Sequence, residues 1–152
     1  MPPLRAERLL GRPLRLPHTR RLTLLERARL LGEILSTYAI VRLAVSRMPI
    51  ESALQRLRID AQLARRPSTG ALAESRRLGV AVARTLRVLP GDTRCLVRSL
   101  VLTRLLARRG ITSTLVIGTR TSPAFLAHAW VEHGAAPVLD PGDGSFARLV
   151  EL

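Results

Sequence analysis

The chain has no lysine, no asparagine and a single cysteine, and only four of its side chains (Tyr38, Phe125, Trp130 and Phe146) are aromatic. One cysteine excludes an internal disulfide and any cysteine-built metal site, so no secreted disulfide scaffold is implied. All 25 basic residues are arginine, and the formal net charge is +14. A basic surface gains affinity for nucleic acid by releasing counterions from phosphates. The arginines stand in ones and twos, however, with little aromatic interleaving, and the lysine-free bias reads as an overall compositional effect. A solvated surface or an acidic peptide partner is the better reading, and no nucleic-acid partner is expected.

Long apolar runs are missing too. In the first helical stretch the longest uncharged run is Ile34 to Val41, far short of the ~20 residues that span a bilayer. At the amino terminus Pro13, Arg15, Pro17, Arg20 and Arg21 interrupt any apolar segment, which argues against a signal peptide. A cytoplasmic protein is expected, with peripheral membrane contact left open.

What is present is enough to fold. Hydrophobic residues make up 47% of 152 positions, room for one domain with a real core. Residues 1–20 carry four prolines and no apolar period, and read as a flexible basic arm. Residues 21–90 read as a helical region. In it Leu22, Leu25, Ala28, Leu31, Leu35, Tyr38 and Val41 or Arg42 recur at helical spacing up to Ser46. Pro49 ends that helix; a second covers Ile50 to Ala64, with Ala53, Leu54, Leu57 and Leu63 apolar. After the loop Pro67-Ser68-Thr69-Gly70, a third runs from Ala71 to Leu89. The first helix has too much apolar surface to stand alone and should pack on the unit formed by residues 91–152.

At residues 91–152 the texture changes. Pro90-Gly91 breaks the chain, Asp92 or Thr93 can cap a helix over residues 94–109, and Arg108-Arg109-Gly110 ends it. Strands are expected at Thr112 to Gly118, Ala127 to Glu132, Ala136 to Asp140 and Phe146 to Leu152. The fold class is therefore α+β: a helical amino-terminal half, then a helix packed on a small antiparallel sheet.

Three residues in this part carry chemistry. Cys95 falls in the first turn of its helix, where unpaired N–H groups and the helix dipole favour a thiolate. A small buried hydrophobe is the alternative. His128 sits in an apolar strand, among Ala127, Ala129, Trp130 and Val131, and needs a partner for a ring nitrogen. If His133-Gly134-Ala135 is a three-residue hairpin loop, Glu132 faces Ala136 and His128 faces Asp140. Opposed side chains lie ~5 Å apart at Cβ. A slip of one residue would put the two on opposite faces. Asp140 can thus orient the imidazole or serve as a turn residue before Pro141-Gly142, and Asp143 is the substitute if the register differs. His18 and His133 are poorly placed to act as base. Trp130 is expected to pack the sheet.

Assembled in order, the blocks Pro90, Cys95-Leu96-Val97-Arg98-Ser99-Leu100, Leu105 to Ile111, Leu115 to Gly118 and Phe125 to Glu132 resemble the lasso peptide leader peptidases. These are the transglutaminase-like cysteine proteases of lasso peptide biosynthesis. The resemblance implies a transglutaminase/papain-like unit in which Cys95, His128 and Asp140 occupy the triad positions, with no metal or other cofactor. It implies removal of the leader from a precursor peptide, help from a separate leader-recognition protein, and work alongside an ATP-dependent macrolactam cyclase. Acyl transfer by the same fold and a non-catalytic basic binding module remain the alternative functions.

Overall fold

A computed structural model describes residues 22–62, 70–89 and 95–152. The expected caps Asp92 and Thr93, and His18, lie outside the described residues. Four helices come first, α1 (Leu24–Arg47), α2 (Ile50–Gln62), α3 (Ala71–Arg87) and α4 (Cys95–Arg108). Four strands come after them, β1 (Thr114–Arg120), β2 (Leu126–His133), β3 (Ala136–Pro137) and β4 (Ala147–Glu151), in an antiparallel sheet of order β3-β2-β1-β4. The α+β class is as the sequence indicates.

Helix α4 is the hub. Leu100, Val101, Leu102, Leu105 and Leu106 are fully buried, because α1, α2 and α3 pack against it on some sides and β2 on another. Each such side chain contributes roughly 1.5–3 kcal/mol through removal of apolar surface from water. The helix stops where Gly110 takes φ +68°. There the Ile111 N–H donates to the Leu106 carbonyl and the Gly110 N–H to that of Ala107, the paired bonds of a glycine-ended helix. Just before that glycine, Arg109 binds both oxygens of Glu33 on α1, at 3.1 and 2.7 Å, and reaches Glu74 on α3 at 3.4 Å. One guanidinium therefore ties three helices.

Helix α1 begins in a reciprocal cap: the Glu26 N–H donates to Thr23 Oγ1, and the Thr23 N–H to Glu26 Oε2. It packs on α4 along a stripe that shares Tyr38 and Val41 with the expected one but is otherwise shifted. Ile34, Thr37 and Val41 are buried, with Leu30, Tyr38 and Val45 packed beside them, while Leu25 is 64% and Leu31 47% exposed. The helix is apolar on two sides, and periodicity fixes the spacing of a stripe without choosing between two of them.

The sheet corrects the hairpin. His133 pairs with Ala136 and Glu132 with Pro137, so the connection is the two-residue turn Gly134-Ala135, with Gly134 at φ +61°. Glycine's access to positive φ permits this shorter turn. Pro137 lacks an N–H, and β3 ends there. Beyond it the Val138 and Leu139 N–H groups both donate to the Val131 carbonyl, at 2.9 and 3.3 Å. That doubled contact inserts one residue on the β3 side, a bulge.

The segment after β3 is pressed against α3. A Cβ on Gly79 would collide with the Val138 carbonyl oxygen and carbon, so only a glycine lets α3 approach. Alanine in place of glycine ordinarily stabilises a helix by roughly 1 kcal/mol. We predict the opposite sign for Gly79→Ala: a loss of about 1–3 kcal/mol from overpacking, read from urea unfolding midpoints. Equal or greater stability of the variant would contradict this packing.

Candidate active site

Cys95 is the first residue of α4, half-buried against the core. One helical turn on, Ser99 is fully buried, and its hydroxyl donates to the Ala129 carbonyl of β2 at 3.0 Å. Carbonyls two apart on a strand point to the same side. Since Val131 O accepts from the β3 side, Ala129 O faces that side also, beyond the point where β3 stops. Ser99 satisfies the carbonyl that the short strand leaves open. The bond sets α4 against β2 at the residue next to His128. Cys95 begins ~6 Å farther along the helix axis, at four residues and 1.5 Å each.

His128 Nε2 lies 2.9 Å from the main-chain oxygen of Asp140. A carbonyl oxygen can only accept, so Nε2 carries a proton, and in the neutral imidazole Nδ1 is then the acceptor. The ring is bracketed by Trp130, stacked with centroids 6.1 Å apart, and by Phe146, tilted at 5.1 Å. It is held at one nitrogen and along its faces. Among the described residues no hydrogen bond joins Cys95 to His128.

The Asp140 carboxylate is used elsewhere. Its Oδ1 accepts the Gly142 N–H at 2.9 Å, closing the turn through Pro141. The two readings of Asp140 thus divide between its atoms: the side chain builds the turn, and the main chain holds the imidazole. The hairpin explains how. The two-residue loop makes paired positions sum to 269, and the added residue opposite Val131 shifts them once more, so that Gly142 comes beside His128 and Asp140 lies two residues earlier, on the same face. Gly142 completes the turn at φ +80°, where a Cβ would meet Phe146 at 2.8 Å and His128 at 3.5 Å.

Asp143 does not serve as the substitute partner. It bonds Arg120 at 2.9 Å and the backbone N–H of Ser145 at 3.0 Å. Hydrogen bonds from Ser145, then the charge of Arg120, hold its carboxyl below the ordinary range. Arg120 also lies over the Phe146 ring, 5.4 Å from its centroid, so the β1 end and the loop before β4 are braced as a unit. His133 donates from Nδ1 to the Thr112 carbonyl at 2.7 Å. It stands at the other end of β2, about 17 Å along the strand from His128 at ~3.4 Å per residue.

Three supporting groups carry little mark in the sequence. Phe146 reads there only as the start of a strand, yet it forms one wall of the imidazole. Gly118 pairs with His128 across the β1–β2 ladder, and a Cβ there would meet the Trp130 ring at 2.8 Å. The indole covers that glycine. The third group is Glu132, buried at 6% exposure. It accepts from Trp130 Nε1 at 2.9 Å and from both terminal nitrogens of Arg148 at 3.1 and 2.9 Å. The available signal for this contact is the alternation His128, Trp130, Glu132, which puts the three on one face. Among the described residues no group of histidine, cysteine, aspartate or glutamate side chains is arranged to hold a metal. None of the described helices is long and apolar enough to cross a membrane.

The family model described as the transglutaminase-like superfamily matches residues 35–151, a span that takes in α4, the sheet and part of α1. Neither a curated protein nor a solved structure gives a match.

Burial alone would raise the Glu132 carboxyl, but the hydrogen bond from Arg148, the one from Trp130 and the Arg148 charge outweigh it and hold the group below its ordinary value. A depressed folded-state value contributes stability above the ordinary carboxylate range, and that stability is lost as the pH falls through the lower value. We therefore predict that Glu132→Gln costs roughly 1.5–3 kcal/mol near neutral pH, the usual worth of a charge-assisted bond. The gap between variant and wild type should narrow as the solution is made more acidic. A gap that is constant with pH would contradict an ionised, paired Glu132.

Proposed function

The chain belongs to the transglutaminase-like superfamily, and on that premise we propose that it is a cysteine peptidase in which Cys95 is the nucleophile, His128 the base and Asp140 the residue that orients it. One observation carries the reading. The chain's only cysteine opens a helix whose next turn is bonded to the strand position beside His128, and that histidine donates from Nε2 to the Asp140 carbonyl, which makes Nδ1 the accepting atom of the neutral ring. A base held in one tautomer and a nucleophile on a helix N-terminus are the parts that thiol acyl transfer needs.

Those roles dictate the reaction. His128 Nδ1 takes the Cys95 proton, and the thiolate attacks the carbonyl carbon of the scissile peptide bond. The backbone N–H of Cys95 is positioned to donate to the developing oxyanion. The C–N bond then breaks, the imidazolium gives its proton to the leaving amine, and a thioester remains. Water, deprotonated by His128, attacks the thioester, and the thiol is restored. Throughout, the Asp140 carbonyl keeps Nε2–H engaged and stabilises the imidazolium.

As substrate we propose the leader segment of a ribosomally made lasso peptide precursor. The block order from Pro90 to Glu132 supports this, and a separate leader-recognition protein is part of the proposal. Action in the cytoplasm alongside an ATP-dependent macrolactam cyclase completes the proposal. Acyl transfer to an amine differs only in the acceptor of the thioester and is separated by product analysis.

The test is cleavage of a precursor peptide with the recognition protein present. Cys95→Ala and His128→Ala should each lower turnover by at least about a thousandfold, with unchanged circular dichroism. Asp140→Asn separates two forms of the mechanism. Orientation by the main-chain carbonyl predicts a loss within about tenfold, whereas a carboxylate bound to the imidazole predicts about 10⁴. Cleavage undiminished in Cys95→Ala would sink the peptidase reading altogether.

A further inference from the structure

Away from Cys95, α1 and α3 flank a groove of about 800 Å³. Its floor is aliphatic, formed by Leu30, Leu78, Val80 and Ala81, and Val80 is 51% exposed. On α1 the lining runs from Glu26 to Glu33, with Leu22 just before the helix, and on α3 from Ala73 to Arg84. At 1.5 Å per residue the α3 wall is about 17 Å long, the length of a three-turn helix.

The charges on the rim are not balanced. Glu33 and Glu74 are both engaged by Arg109, and Glu26 by the α1 cap. Arg29, Arg76, Arg77 and Arg84 line the groove with no carboxylate partner among the described residues. An apolar trough between cationic walls takes an amphipathic helix with acidic flanks. We propose that this groove is the docking site for such a helix on a partner protein.

Other occupants fit less well. Residues 1–21 are rich in arginine, with a single glutamate, a poor charge match for the rim. A second copy brings another +14. Nucleic acid would want aromatic platforms, and no aromatic side chain among the described residues lines the groove. The groove meets α4 at Arg109, the opposite end from Cys95. Fourteen residues at 1.5 Å separate the two by about 20 Å, so a docked partner leaves the cysteine open. The proposal therefore holds whichever reaction Cys95 performs.

The probe is a fluorescein-labelled helical peptide of about four turns with leucine at positions i, i+3, i+4 and i+7 and glutamate elsewhere, titrated into the full chain by anisotropy. Its control replaces every glutamate with lysine. The acidic peptide should bind at least about tenfold more tightly than the basic one and weaken with added salt. The double variant Arg76→Glu/Arg77→Glu should reverse that preference, and Val80→Asp, at an exposed site, should abolish binding without lowering the melting temperature. Equal binding of the two peptides, or affinities untouched by these variants, would overturn the proposal. So would competition by a synthetic peptide of residues 1–21 at comparable concentration, which would place the chain's own arm in the groove. Sedimentation showing a dimer that Val80→Asp dissociates would assign the groove to a second copy and overturn it equally.

Discussion

The bond from Ser99 to the Ala129 carbonyl is the joint on which the site depends. A helix packed on a sheet can slide along its axis at modest cost, because aliphatic contacts are not directional. A buried hydroxyl and a buried carbonyl that satisfy each other cannot, since parting them leaves two polar groups dry, at ~1–3 kcal/mol each. The carbonyl is open because β3 is two residues long and the contacts after it stop at the doubled bond to Val131. The short strand thus leaves an acceptor that a serine on α4 fills.

The histidine is held by a second set of constraints that converge on the segment after β3. Gly79 admits α3 against the Val138 carbonyl, the doubled contact at Val131 adds a residue, and the Asp140 side chain closes the turn at Gly142. Together they aim a main-chain oxygen at Nε2. A carbonyl fixed by its own backbone loses less freedom in that role than a rotatable carboxylate. Trp130, seated over Gly118 and anchored through Glu132 to Arg148, stacks beside the ring. Phe146, backed by Arg120, lies tilted 5.1 Å from it.

Much of this was legible in the residues. Cys95 at a helix start, His128 on an apolar strand and Gly110 as the helix stop all come from local chemistry, which acts within a turn or two of chain. The hairpin register was not legible, because the difference between a two- and a three-residue loop rests on whether Gly134 adopts positive φ. The division of Asp140 into a turn-forming side chain and a histidine-binding carbonyl required tertiary geometry. On α1 the sequence carried two apolar stripes, and only the shape of α4 chose Leu30 and Ile34 over Leu25 and Leu31. Phe146 escaped notice because an aromatic at a strand start carries no mark of the ring it will face.

We propose as the central claim that Cys95 and His128 act as one unit, with the imidazole taking the thiol proton. The most direct test is the rate of alkylation of Cys95 by iodoacetamide at neutral pH, in the native protein and in His128→Ala. The account predicts fast labelling of the native chain and labelling at least about tenfold slower in the variant. Equal rates for the two proteins, or labelling that requires denaturant, would contradict it.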